Sequence, residues 1–178
     1  MMVLNKITKI HIDLAPDLYE LYINLVAEDN LNKAFKDSIK DLWKLDIDKL
    51  TRLHSKNYAP GKWTVNDILQ HLSDTERIVC AGTLRFVREE KEHVICFNGD
   101  EIAANANAGN KSVERIIEEL ITVRKATYGL YSTFCGDDFL KTGIIRKRRI
   151  SIAAMGFSIL GHQVHHLNSI RDKYYPLL

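Results

Sequence analysis

The chain has 178 residues, a net charge of +2, 46% apolar and 27% charged residues. That is enough for one domain with a self-sufficient core, here expected over residues 1–178. The near-neutral balance excludes a large polyanion as an obligatory partner, so no nucleic-acid role is expected. Its three cysteines, Cys80, Cys96 and Cys135, form no Cys-x-x-Cys pair, which excludes a disulfide framework and a cysteine-only zinc site. A reducing cytoplasm is expected. No apolar run has membrane-spanning length, and Met1 to Asp13 lacks the pattern of a signal peptide.

In chain order, residues 1–15 give no clear element. Pro16-Asp17 is a helix start, followed by Leu18, Leu21, Tyr22, Leu25 and Val26 at helical spacing. Asp29-Asn30 interrupts, and Leu31, Phe35, Ile39, Leu42, Trp43 and Leu45 form a second periodic run. Residues 1–30 therefore read as an N-terminal extension packed on the rest of the chain. Asp48 to Leu53 adds a turn of helix, and Lys56 to Lys62, with Pro60-Gly61, reads as loop.

Thr64 is placed to cap a long helix, with Asp67 three residues on completing a capping box. Ile68, Leu69, Leu72, Ile78, Val79, Leu84, Phe86 and Val87 carry this helix to about Arg88, with His71 on its first half. Taken alone, His71 reads as a structural histidine rather than a ligand. Glu89 to Asn110 lacks periodicity and reads as a long crossover. Ser112 caps the next helix, with its stripe from Val113 to Phe134, ended by Gly136-Asp137-Asp138. Phe139 to Ile150 reads as a loop; its basic cluster Arg146-Lys147-Arg148-Arg149 is a candidate contact for phosphate or an acidic surface, with a solvated loop the preferred reading. Ser151 caps a last helix that stops before Pro176.

That last helix carries the chemistry. Ile152, Met155, Ile159, His162, His166 and Ile170 share one narrow stripe at about 100° per residue, and His165 lies off it. Residues four apart share a face, so His162 and His166 can grip one ion from the same side. A core histidine bonded to a backbone carbonyl explains one such side chain equally well, so a third ligand must decide. Four long helices, one long crossover and no convincing strands predict an all-α fold, an antiparallel four-helix bundle.

Two segments resemble a known family. Trp63-Thr64 followed by Asp67-Ile68-Leu69-Gln70-His71-Leu72-Ser73-Asp74-Thr75-Glu76-Arg77 is similar to the Trp-(Ser/Thr)…His-(Leu/Ile)-x-Asp-x-Glu segment of DinB-like proteins. Gly161-His162-Gln163-Val164-His165-His166 is similar to that family's Gly-His-x-x-His-His helix. The similarity runs from about residue 31 to the end. It implies the DinB/YfiT-like bundle with up-up-down-down topology and a divalent metal held by His71, His162 and His166, zinc or nickel first and iron next. It implies a metal-dependent enzyme, a small-thiol transferase or a hydrolase, acting on a small molecule such as a low-molecular-weight thiol, with homodimerisation common. The alternative is a non-catalytic metal-binding or dimerising bundle. Asp74, one turn after His71, is the candidate to orient it or a bound water, or is a solvated helix charge. Glu76 points further round, toward a surface or interhelical ion pair. Where relatives often carry Tyr-Arg, this chain has Ala81-Gly82, on the His71 side. The expected result is a larger, less positive pocket, with Arg85 as a partial substitute.

Overall fold

A computed structural model describes residues 3–12, 14–90 and 94–178. The expectations for residues 1, 2 and 13, and for the 91–93 part of the crossover, lie outside the described residues. The helices are α1 (Asp17–Leu25), α2 (Leu31–Trp43), α3 (Ile47–Leu53), α4 (Val65–Val87), α5 (Gly99–Asn105), α6 (Val113–Ser132) and α7 (Ile152–Lys173). Helices α2, α4, α6 and α7 form the four-helix bundle. Helix α4 packs on α6 and α7, α2 packs on the same two, and α1 lies along α7.

The caps sit where their chemistry places them. The Thr64 hydroxyl accepts from the Asp67 N–H, and the Asp67 carboxylate accepts from the Thr64 N–H at 2.9 Å. Ser112 accepts from the Arg115 N–H and Ser151 from the Ala154 N–H, starting α6 and α7. The capping side chains satisfy donors that the first turn leaves unpaired.

The segment expected to be a loop before α7 is instead a β-hairpin. Strands β2 (Thr142–Ile145) and β3 (Arg148–Ser151) pair antiparallel, and β1 (Val94–Ile95), inside the crossover, adds in parallel to β2. The burial of Gly143, Ile145 and Ile150 follows the period of a half-covered sheet. The sequence carries no hairpin signal here because the two-residue turn, Arg146-Lys147, holds neither Asn nor Gly, the usual occupants of positions with φ above zero. Both residues nonetheless have positive φ, 47° and 65°. The crossover also contains α5.

Two apolar clusters fill the interior. One joins Leu4, Ile7, Ile23 and Val26 to Phe35, Val79, Phe86, Tyr131, Ile150 and the first half of α7. The other joins Leu42, Leu50 and Leu53 to Val65, Ile68, Leu72, Ile116, Leu120 and Ile170. Between them the bundle helices turn polar at one level: Ser73 and Glu76 on α4, Arg124 and Thr127 on α6, and His162, Gln163 and His166 on α7. The functional site occupies that level. Not every apolar residue of the expected stripes is covered, and Trp43 stays 63% exposed at the end of α2, beneath the Lys125 ammonium.

Candidate metal centre

Helix α4 delivers His71, and α7 delivers His162 and His166 one turn apart. One ring nitrogen from each histidine lies within 4.8 Å of those from the other two. The His162 Nε2 is 3.3 Å from the His71 Nε2 and 3.0 Å from the His166 Nε2. A neutral imidazole has one N–H, so a single Nε2 facing two others cannot hydrogen-bond both well. Metal–nitrogen bonds of 2.0–2.1 Å in a tetrahedral shell would set neighbouring nitrogens about 3.3 Å apart. The observed spacing and donor type therefore fit a divalent ion. Burial first, then the closeness of the other rings, holds the His162 pKa well below its ordinary value. Burial is also the main cause at His166, pushed down to about 3, and at His71, pushed down to about 4. All three are neutral at pH 7, the form that binds metal.

The surroundings fix the rings. The Trp63 ring lies 4.6 Å from the His71 ring and stacks over His166 at 6.2 Å. Tyr22 of α1 meets His162 edge-on at 5.3 Å and His165 at 5.5 Å. Gly161 makes this approach of α1 feasible, because a Cβ there would overlap the Tyr22 carbonyl. The Thr75 hydroxyl stands 3.4 Å from the His71 Nδ1, the position from which a ligand's orientation is set.

Asp74 is placed elsewhere. Its carboxylate accepts from Gln70 at 3.1 Å and from Arg77 at 3.3 Å, in a surface network with Glu119 and Lys111. It acts on His71 only through its charge, which raises the histidine's pKa against the effect of burial. Glu76 makes the interhelical ion pair, but a buried one: two 2.9 Å bonds join it to the Arg124 Nε and Nη2, with both side chains at most 3% exposed. The Arg124 Nη1 has no hydrogen-bond partner among the described residues.

The three histidines open on a cavity of about 510 Å³. Its walls combine Tyr19, Tyr22, Trp63 and Phe97 with Val79, Met155 and Ile159, and its charged members are Glu76, Asp100, Arg124 and Arg146. Neither Gly82 nor Arg85 lines it. Gly82 is buried in α4, and Arg85 is exposed and paired with Glu90. Arg85 therefore does not act as the expected substitute, and the cavity's cations come from α6 and from the hairpin turn. Tyr19, Tyr22 and Phe97 are not legible as site residues, and Arg146 only as one of a basic cluster, since each sits on an element that only the fold brings to α7.

The model of the DinB superfamily matches residues 12–170. No functionally curated protein matches the sequence. Among solved structures, the fold is similar to YfiT from Bacillus subtilis, described as a probable metal-dependent hydrolase with an unusual four-helix bundle topology. The TM-score is 0.60 at 13% identity, over 89% of this chain and 88% of that one. With two histidine-bearing helices in place and the match spanning nearly the whole sequence, the chain belongs to the DinB superfamily.

Proposed function

We propose that His71, His162 and His166 together hold one divalent ion, zinc or nickel before iron, and that the protein is a metal-dependent enzyme acting on a small molecule. The reaction is hydrolysis or transfer of a low-molecular-weight thiol. The convergence of three neutral imidazoles on the wall of a cavity carries this reading. Three protein ligands leave a coordination position open, as in catalytic rather than purely structural sites. An ion so held supplies Lewis acidity and brings water or a thiol toward its anionic form near neutral pH. The resemblance in fold to a protein described as a metal-dependent hydrolase supports the same direction.

The chain's own residues supply the rest. Thr75 orients His71 through its second nitrogen. Trp63 covers two of the three rings and keeps bulk water off them. Tyr22 and Tyr19 close the α1 side of the cavity, where burial raises their phenol pKa values. They remain protonated at neutral pH and can donate to a substrate oxygen.

The test assays natively purified protein with a panel of small esters and amides, and with small thiols offered to an electrophile such as monobromobimane. Turnover in one of the assays, abolished by chelation and restored by adding back the ion, is expected. Fully metallated protein without turnover, whose unfolding temperature alone falls on chelation, would show the ion to be structural.

A further inference from the structure

The hairpin turn aims a cation into the cavity at a cost in backbone conformation. Arg146 and Lys147 both adopt positive φ, a region disfavoured for side-chain-bearing residues. Such strain persists where the surroundings enforce it, and it directs attention to what the residue does. Here the Arg146 N–H is held by the Ile95 carbonyl at 2.9 Å, so β1 fixes the turn from outside the hairpin. The guanidinium lies over the Phe97 ring, 4.8 Å from its centre. It has no carboxylate within ion-pair distance among the described residues.

Gly99 makes room between this cation and the metal centre. A Cβ on Gly99 would stand 3.3 Å from the His71 Cε1 and 3.9 Å from the Arg146 Nη2. Both side chains thus border the space beside Gly99, which a Cβ would narrow. Burial is the larger influence on His71, Tyr19 and Tyr22, and the charge of Arg146 reaches all three, adding to burial at the histidine and opposing it at the two phenols. Of the other charged lining groups, Arg124 is neutralised by Glu76, and Asp100 brings one negative charge.

We propose that Arg146 is the anion-binding residue of this cavity, and that the substrate is a small carboxylic acid with an apolar or aromatic body. Its carboxylate sits on the Arg146 guanidinium and its reactive group faces the three histidines. This deepens the reading of the cavity as a substrate site and rests on it. A planar guanidinium matches a carboxylate fork. One cation with Asp100 nearby suits a single negative charge better than a dianionic phosphate. The body packs against Phe97, Tyr19, Tyr22 and Trp63.

The experiment measures binding of 4-phenylbutyrate, phenyl phosphate and 4-phenylbutanol by quenching of tryptophan fluorescence. It compares the natively purified protein with Arg146→Gln and Arg146→Lys, recording the metal content of every preparation. Phenylbutyrate should bind tighter than the phosphate or the alcohol. Arg146→Gln should weaken it about tenfold or more, as expected for losing a charged hydrogen bond. Arg146→Lys should recover part of that loss, and the affinity for phenylbutanol should stay the same across the three proteins. Chelation should leave the dependence on Arg146 in place. If phenylbutyrate binds equally well to Arg146→Gln, or loses its affinity only on chelation, the carboxylate sits elsewhere and the proposal fails, whatever the metal content. If the preparations hold no metal but the dependence on Arg146 remains, the metal reading fails and the anion site stands.

Discussion

His71 differs from the other two histidines in how much its local sequence discloses. His162 and His166 continue a line of core residues, and Ile152, Met155, Ile159 and Ile170 of that line are all buried. Their phase was therefore informative before any fold was known. His71 sits on a helix with mixed surroundings, and only the meeting of α4 with α7 gives it partners. The same holds for the Glu76–Arg124 pair, whose members lie 48 residues apart. Removing one partner from a desolvated ion pair strands the other, so Glu76→Gln should destabilise the protein by about 3–5 kcal/mol in urea unfolding. Replacing both, with Glu76→Leu and Arg124→Met, should cost much less. An equal cost for the single and double variants would mean that the pair is not isolated in the core.

Protonation belongs to the same scale. The three histidines are neutral in the folded protein, with lowered pKa values, and titrate near 6.5 when unfolded. Between those values the unfolded chain binds more protons than the folded one, so stability is present above pH 6.5 and is lost as the pH falls toward 4. For metal-free protein the loss should reach roughly 1.4 kcal/mol per pH unit for each histidine involved. A chelated sample whose stability is flat from pH 7 to 4.5 would contradict the burial of these rings.

Among the elements, α1 and the hairpin carry the less legible part of the site. The helix start at Pro16 was readable from local chemistry, but the docking of α1 on α7 depends on Gly161, which the sequence shows only as a weak helix former. Gly161→Ala should push α1 off α7, with a cost of about 1–3 kcal/mol, the usual range for overpacking. A Tyr22 environment unchanged by near-ultraviolet circular dichroism would argue against this contact. The hairpin is illegible in the sequence for a physical reason: turn chemistry is the strongest short-range signal for a hairpin, and here strained residues replace it. Lys147→Gly should accordingly stabilise the protein, by about 1 kcal/mol, as the left-handed backbone no longer carries a Cβ. Unchanged or lowered stability would show that the lysine side chain compensates.

In the whole molecule, two apolar clusters press on one polar layer, and the cavity opens where that layer reaches α1 and the hairpin. Helical periodicity and caps made the bundle readable, since each helix records its own buried face. The cavity was not readable, because its walls come from five separated stretches of chain and meet only through tertiary packing. Among the described residues, no helix is long and apolar enough to cross a membrane.

The most direct test is elemental analysis of natively purified protein beside His71→Ala, His162→Ala and His166→Ala, each checked for folding by circular dichroism. Close to one divalent ion per chain, strongly reduced in each folded variant, is the predicted result. A metal content near zero in the native protein, or one that survives the loss of His71, would contradict a centre shared by the two helices.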